Sequence, residues 1–192
     1  MEFASCRLLI PAFGAIRLSA ADSSTLAEAS YLSEAGLPEA ESDGQPPLPR
    51  VFPEDEAAFQ HCAVLQSAAG WLADYFRGVP QDNRTLPFRL QLEARGTEFQ
   101  RRVWRELQAI PYGTTITYKE LAERAGCPKG FRAAGGACNK NPFLIFVPCH
   151  RVISADGSLR GFACGLGAKA ALLGLERRGR AAISSNTPEG RR

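Results

Sequence analysis

The sequence predicts an α/β (α+β) chain: a small N-terminal α/β domain with a short antiparallel sheet, followed by a mainly helical C-terminal domain that carries a helix-turn-helix. Three observations lead there. Residues 7–20 alternate loosely between apolar and polar around Pro11-Ala12-Phe13-Gly14, the pattern of a hairpin. The second half has two helix starts of the form Thr-x-x-Gln or Thr-x-x-Glu, each followed by apolar residues at helical spacing. Charge also divides the chain. Residues 1–94 hold 6 Lys and Arg against 13 Asp and Glu, a net −7, while residues 95–180 hold 15 against 6, a net +9. A chain of 192 residues that is 45% hydrophobic can build one domain or two small ones with a shared interface.

The elements follow in order. After the hairpin, residues 34–50 are rich in Pro, Gly and acid and read as an exposed loop. Residues 57–76 read as one helix with Phe59, Leu65, Leu72 and Phe76 inward, stopped at Gly78. Residues 85–96 read as a short strand and a linker, which puts a domain boundary near Ala94: 1–94, then 95–180, then a flexible tail of 181–192. Thr97 and Gln100 form a capping box for a helix with Phe99, Val103, Trp104 and Leu107 on one face, and Pro111 stops it. Thr117 and Glu120 form a second box, and Gly126 ends that helix. A tight turn leads into a third segment, residues 131–140, which completes a helix-turn-helix. Val152-Ile153 is a strand before a turn at 155–158, and residues 166–179 close the domain as a helix.

Two features leave alternatives open. The basic second half fits either a polyanionic partner or a charge-complementary interface with the acidic first half. In the third segment, Ala133, Ala134, Gly135, Gly136 and Ala137 offer almost no side chain, although each interior Gly costs a helix about 1 kcal/mol. Either two helices pack tightly there, or the backbone approaches a ligand with Arg132 projecting from the bare face. Such a face suits a narrow minor groove better than base-edge readout.

The chemistry concentrates in Phe143–Ser154, where an apolar run ends in Pro148-Cys149-His150-Arg151. A buried Cys is usually a small hydrophobe. Here proline fixes the chain before the thiol, and one of the two histidines follows it. A thiol with an ordinary pKa near 8.5 needs a base or a cation to become a nucleophile. On an extended chain Cys149 and His150 point to opposite sides, so a bridging water is reasonable, and Glu176 is a candidate to orient the imidazole. None of the six cysteines forms a C-x-x-C pair, and with two histidines no zinc spacing appears, so reduced thiols and no metal are expected. No apolar run approaches the ~20 residues of a membrane span. Glu2, Pro11 and Gly14 argue against a signal peptide.

The stretches IPYGTTITYKELA, FRAAGGACNKNP and VPCHRVI, with the later GF and LLGLE, resemble the O6-alkylguanine-DNA alkyltransferases, also called methylated-DNA–protein-cysteine methyltransferases. The resemblance covers residues 86–178 and is loose before that. It implies a C-terminal DNA-binding domain with a winged helix-turn-helix-like motif and stoichiometric, irreversible repair of O6-alkylguanine, and leaves activity on O4-alkylthymine open. It implies Cys149 as alkyl acceptor, His150 as its base through a water, Glu176 as the orienting acid and Asn141 as the support of the cysteine loop. Arg132 would fill the stack left by a flipped nucleotide, and Tyr118 would crowd the 3′ phosphate and donate a proton to the leaving guanine. Lys119, Cys127, Ala133, Gly135 and Gly136 match positions near DNA. The implied partner is double-stranded DNA carrying O6-alkylguanine, bound by a monomer without a cofactor, in the cytoplasm or in a eukaryotic nucleus. The run Phe162-Ala163-Cys164-Gly165 departs from the family's Tyr-Ser/Ala-Gly-Gly, and Cys164 stands where a glycine lines the alkyl pocket. The competing readings are a lesion-binding relative without transfer, which would lack Cys149, a cysteine hydrolase and a regulatory DNA-binding module.

Overall fold

The structure, a computed structural model, describes residues 4–10, 13–32 and 49–186. The predicted hairpin is formed by β1 (Ser5–Ile10) and β2 (Gly14–Ala20), with Cys6 opposite Leu18 and Leu8 opposite Ile16. Its turn at Pro11-Ala12 lies outside the described residues. The two-residue period buries Cys6, Leu8 and Ile10 together with Ile16, Leu18 and Ala20. Strand β3 (Thr25–Leu32) pairs antiparallel with β2, and β4 (Arg50–Pro53) pairs antiparallel with β1. Arg50 therefore begins a strand rather than ending an exposed loop, and residues 34–48 of that loop lie outside the described residues.

The expected single helix is two helices, α1 (Glu56–Gln60) and α2 (Ala63–Phe76). The break has a local cause. Asp55 caps α1 at the Ala58 amide (3.0 Å), and the Gln66 side chain takes the carbonyls of Phe59 (3.1 Å) and Gln60 (2.8 Å), which satisfies α1's exposed end. Helix α2 lies on the buried face of the sheet and contributes Leu65, Leu72 and Tyr75. The chain then returns as β5 (Arg89–Leu90), parallel to β3. The sheet, in the order β4-β1-β2-β3-β5, is thus mixed rather than wholly antiparallel. A crossover through a helix produces a parallel neighbour.

Helix α3 (Glu98–Gln108) starts on the expected capping box, with Thr97 and Gln100 bonded both ways (3.3 and 2.9 Å) and Val103, Trp104 and Leu107 buried. Strand β6 (Ile116–Thr117) leads into α4 (Tyr118–Arg124). The second box is only half made. Thr117 accepts from the Glu120 amide, but the Glu120 carboxylate turns to Arg124 one turn on. Helix α5 (Phe131–Asn139) completes the helix-turn-helix, and β7 (Val152–Ile153) pairs parallel with β6.

The last helix, α6 (Gly165–Asn186), outruns its expected span of 166–179. Residues 181–186 continue this helix, and Ala181 and Ala182 give it no reason to stop. Residues 187–192 lie outside the described part. Helix α6 docks across the molecule: a Cβ at Gly179 would come within 2.3 Å of the Gly78 carbonyl and 2.8 Å of the Tyr112 hydroxyl. No helix among the described residues is long and apolar enough to cross a membrane.

Candidate active site

The apolar run before the cysteine is an extra strand-like segment on β3. Ala29 donates to the Pro142 carbonyl (2.9 Å) and accepts from the Leu144 amide (2.8 Å). Phe143, Ile145, Phe146 and Val147 are buried, with Phe146 against Trp71 and Phe88. Ile145 sits at φ 69°, a left-handed conformation that costs a β-branched residue of the order of 1–3 kcal/mol. Two asparagines hold the bend. Asn83 donates to the carbonyls of Ile145 (2.9 Å) and Phe146 (3.1 Å). Asn141 accepts from the Phe143 amide (2.9 Å), donates to the Val147 carbonyl (2.7 Å) and reaches Cys149 Sγ (3.4 Å). After Pro148 the chain makes one 3-10 turn, Cys149–Arg151, instead of the extended strand expected there. Three residues per turn send the Cys149 and His150 side chains about 120° apart.

His150 and Arg151 are both fully buried, and both turn toward Glu176 on α6. His150 Nε2 lies 2.7 Å from Glu176 Oε1. Arg151 donates through Nε (3.1 and 3.0 Å) and Nη2 (2.9 Å) to the same carboxylate and through Nη1 to the Ile110 carbonyl (2.6 Å). The Gly113 amide donates to Oε2 (2.9 Å), and the Tyr75 hydroxyl donates to Oε1 (2.8 Å). Burial pushes the Glu176 carboxyl up, but its hydrogen bond to His150 and the Arg151 guanidinium outweigh that and hold it ionised. Burial holds His150 below the ordinary imidazole range even beside Glu176, so the ring is neutral. With an ionised acceptor at Nε2, that nitrogen carries the proton and Nδ1 carries the lone pair. Nδ1 is buried and has no hydrogen-bond partner among the described residues.

The Cys149 thiol is 8% exposed. Burial raises its pKa, while the Asn141 amide and the Lys169 ammonium pull the other way. Lys169 is itself fully buried; its ammonium donates to the Arg160 carbonyl (2.9 Å) and stands 5.7 Å from the centre of the Tyr118 ring. The Tyr118 hydroxyl donates to the same carbonyl (3.1 Å), and burial pushes its pKa up to about 12, so it is held as a proton donor. Cys164 is half-buried, and burial, then the nearby Cys149, pushes its thiol up to about 12.

A groove of about 560 Å³ opens beside this site, lined by Tyr118, Phe131, Arg132, Gly135 and Gly136. Arg132 is exposed, with its guanidinium 5.7 Å from the centre of the Phe131 ring. The glycines are not there for internal packing. A Cβ at Gly136 would meet nothing within 4 Å, and one at Gly135 would only touch the Tyr118 ring at 3.8 Å. The buried positions of α5 are Ala134, Ala137 and Cys138, while Ala133 faces solvent. Of the bare stretch, Ala134 and Ala137 pack inward, while Gly135 and Gly136 meet little or nothing inside the protein. Lys119 is exposed and pairs weakly with Glu123 (3.9 Å). Cys127 lies half-buried in the turn, with its sulfur against Gly130.

The structure therefore links Asn141 to Cys149 and His150 to Glu176 at one short turn, and places Arg132, Tyr118, Gly135 and Gly136 on one groove. Four contributors went unforeseen: Tyr75, Asn83, Arg151 and Lys169. Arg151 had a signal, since a guanidinium beside a buried imidazole needs a carboxylate and Glu176 serves both.

The chain matches the DNA-binding domain family of 6-O-methylguanine DNA methyltransferases over residues 98–178. It is 52% identical over 115 residues to the methylated-DNA–protein-cysteine methyltransferase of Mycolicibacterium paratuberculosis, covering 60% of this chain and 67% of the relative. It is 41% identical over 145 residues to that of Methanosarcina mazei, covering 68% of this chain and 92% of the relative. The crystal structure of Mycobacterium tuberculosis O6-methylguanine methyltransferase superposes with a TM-score of 0.67 at 32% identity, over 91% of this chain and 93% of that one. A structure of the tuberculosis protein in complex with DNA superposes with the same score at 36% identity, over the same shares of each chain. At this identity and coverage, the chain belongs to the methylated-DNA–protein-cysteine methyltransferase family.

Proposed function

We propose that this protein repairs DNA by moving the alkyl group of O6-alkylguanine, the methyl group above all, onto Cys149, once per molecule. The observation that carries this reading is a buried thiol beside a neutral histidine whose Nε2 is held by an ionised glutamate, set next to a bare helix of a helix-turn-helix.

The O6 atom is inside the duplex, so the nucleotide must be flipped out, which costs a few kcal/mol. Helix α5 lies along the minor groove with Gly135 and Gly136 against the backbone, and Arg132 fills the gap in the stack. Lys119 and Cys127 lie beside the phosphates, and Tyr118 crowds the 3′ phosphate of the flipped nucleotide. In the pocket, His150 Nδ1 takes the thiol proton, directly or through one water, and Glu176 stabilises the imidazolium that forms, while Arg151 holds the Glu176 carboxylate in place. The thiolate attacks the alkyl carbon. The S–C bond forms as the C–O bond breaks, and the departing guanine anion takes a proton from Tyr118. Lys169, behind Tyr118 and Cys149, offsets the negative charge on either. The product thioether has no carbonyl for water to attack, so the protein is not regenerated. The residues needed are all in this chain, and no cofactor takes part. The protein acts as a monomer, in the cytoplasm or a eukaryotic nucleus, where its DNA is. Residues 1–94 act as a supporting domain for 95–180.

The test is to mix the protein with a duplex carrying one O6-methylguanine and map its peptides by mass. A single methylene gain on the Cys149 peptide, saturating at one per protein and absent in Cys149→Ala, is expected. Lesion loss with repeated turnover and no gain on the peptide would refute the reading.

A further inference from the structure

Tyr75 lies on α2, in the acidic half of the chain, 75 residues before His150. It is fully buried, stacked on Trp71 (5.8 Å, 8° between planes) and edge-on to Tyr112 (5.9 Å). A buried phenol needs one hydrogen-bond partner. This one reaches two groups of the active site, Glu176 Oε1 at 2.8 Å and His150 Nε2 at 3.2 Å.

The protons can be placed. Glu176 is ionised and only accepts, so the phenol hydrogen goes to Oε1. The phenol oxygen then has lone pairs to offer and can only accept from His150. A proton on Nε2 satisfies both the carboxylate and the phenol oxygen. A proton on Nδ1 would instead set the Nε2 lone pair against two acceptors. We propose that the Tyr75 hydroxyl is a positioning group for alkyl transfer, through which the N-terminal half fixes the proton on His150 Nε2 and keeps Nδ1 free as the base. This rests on the proposed transfer to Cys149 and names a part in it for the first half of the chain.

The pH response separates this from mere core filling. The charged and titratable groups around His150 are Glu176 and Lys169 from α6, Arg151 and Cys149 from its own turn, and Tyr112 beyond Tyr75. Tyr75→Phe keeps the ring and its packing and removes two bonds. Losing the 2.8 Å bond to the carboxylate makes Glu176 a stronger acceptor and favours a protonated His150. Losing the 3.2 Å contact acts in the opposite direction. The shorter, charge-assisted bond is the stronger one. The acid limb of the transfer rate therefore moves to higher pH in Tyr75→Phe.

The experiment measures single-turnover transfer against pH from the mass of the Cys149 peptide, with a methylated duplex and with free O6-benzylguanine. Tyr75→Phe is expected to transfer about tenfold more slowly on the plateau with both substrates, and to show the shifted limb. Full-length protein with 3-fluorotyrosine at position 75, a stronger donor in the same space, moves the limb to lower pH. A folded Tyr75→Phe with wild-type plateau and limb overturns the proposal. If Tyr75→Phe does not fold, an unmoved limb in the fluorinated protein overturns it equally. Wild-type protein that takes up no alkyl group in the same assay would instead sink the transfer reaction itself.

Discussion

Gly136 is where stability and repair should part company. It lies inside α5, it faces solvent, and a Cβ there meets nothing within 4 Å. Its φ is not in the positive range, so alanine fits without strain. Gly136→Ala should therefore stabilise the free protein by about 1 kcal/mol through helix propensity, raising the melting temperature by about 2–4 °C for a chain of this size. Gly136→Leu, a comparable helix former, should keep most of that gain. The minor groove is only about 6 Å wide, so a leucine on this face holds the helix away from the backbone and base edges it would otherwise approach. Duplex repair at subsaturating DNA should fall with side-chain size, reaching about tenfold for leucine, or about 1.4 kcal/mol. Reaction with free O6-benzylguanine should be unchanged, because the thiol and its acid–base pair are not touched. The assays are thermal melting and single-turnover rates on both substrates. If Gly136→Leu repairs duplex DNA at the wild-type rate, DNA does not approach this face, and the glycines need another explanation.

Other outcomes follow from the same geometry. Arg132→Ala should slow duplex repair and leave the free-base reaction intact, since Arg132 touches neither Cys149 nor its partners; equal loss on both substrates in paired rate measurements would remove its role in the base stack. Arg151→Met should destabilise the fold by about 3–5 kcal/mol by stranding the buried Glu176 carboxylate, read as a drop in the denaturant midpoint. Acid titration of stability should show Glu176 directly. Its pKa is lowered to about 2 in the fold against about 4.3 unfolded, so it stabilises fully above about 4.3 and loses that contribution as pH falls toward 2. In Arg151→Met the folded value rises toward the unfolded one, so the stability lost over that window should shrink.

Much of the helical framework was legible because its cues are local. Thr97 and Gln100 meet within one turn, and Thr117 finds the Glu120 amide in the same way. The half-failure of the second box was not legible, because Arg124 competes for the Glu120 carboxylate and nothing in the spacing decides between the two bonds. The break at Cys62 was missed because residues 57–76 keep a helical apolar pattern across it, and only the Gln66 side chain reveals where the first helix stops. In the site, Cys149 and His150 stand out in one short stretch and Glu176 is a candidate to orient the imidazole, while Asn141 came only from the family resemblance. Tyr75 was hidden among the aromatic residues of α2, where a phenol that only fills the core and one that reaches the site look alike. What distinguishes it is contact with His150 and Glu176, 75 and 101 positions away in the chain. Lys169 was hidden for the opposite reason, since a lysine on a surface-patterned helix is expected to face water and this one is fully buried.

The position of Glu176 on the last helix bears on how the chain matures. A ribosome exports the Cys149 turn before α6, and during that interval Glu176 is not yet there to hold His150. Only after α6 docks, with Gly179 seated against Gly78, do His150, Arg151 and Tyr75 acquire their common partner. Reactivity thereby waits on the docking of α6. For a protein whose nucleophile is consumed in a single event, that order protects the thiol from being spent on stray electrophiles before there is a folded surface to bring it to its substrate.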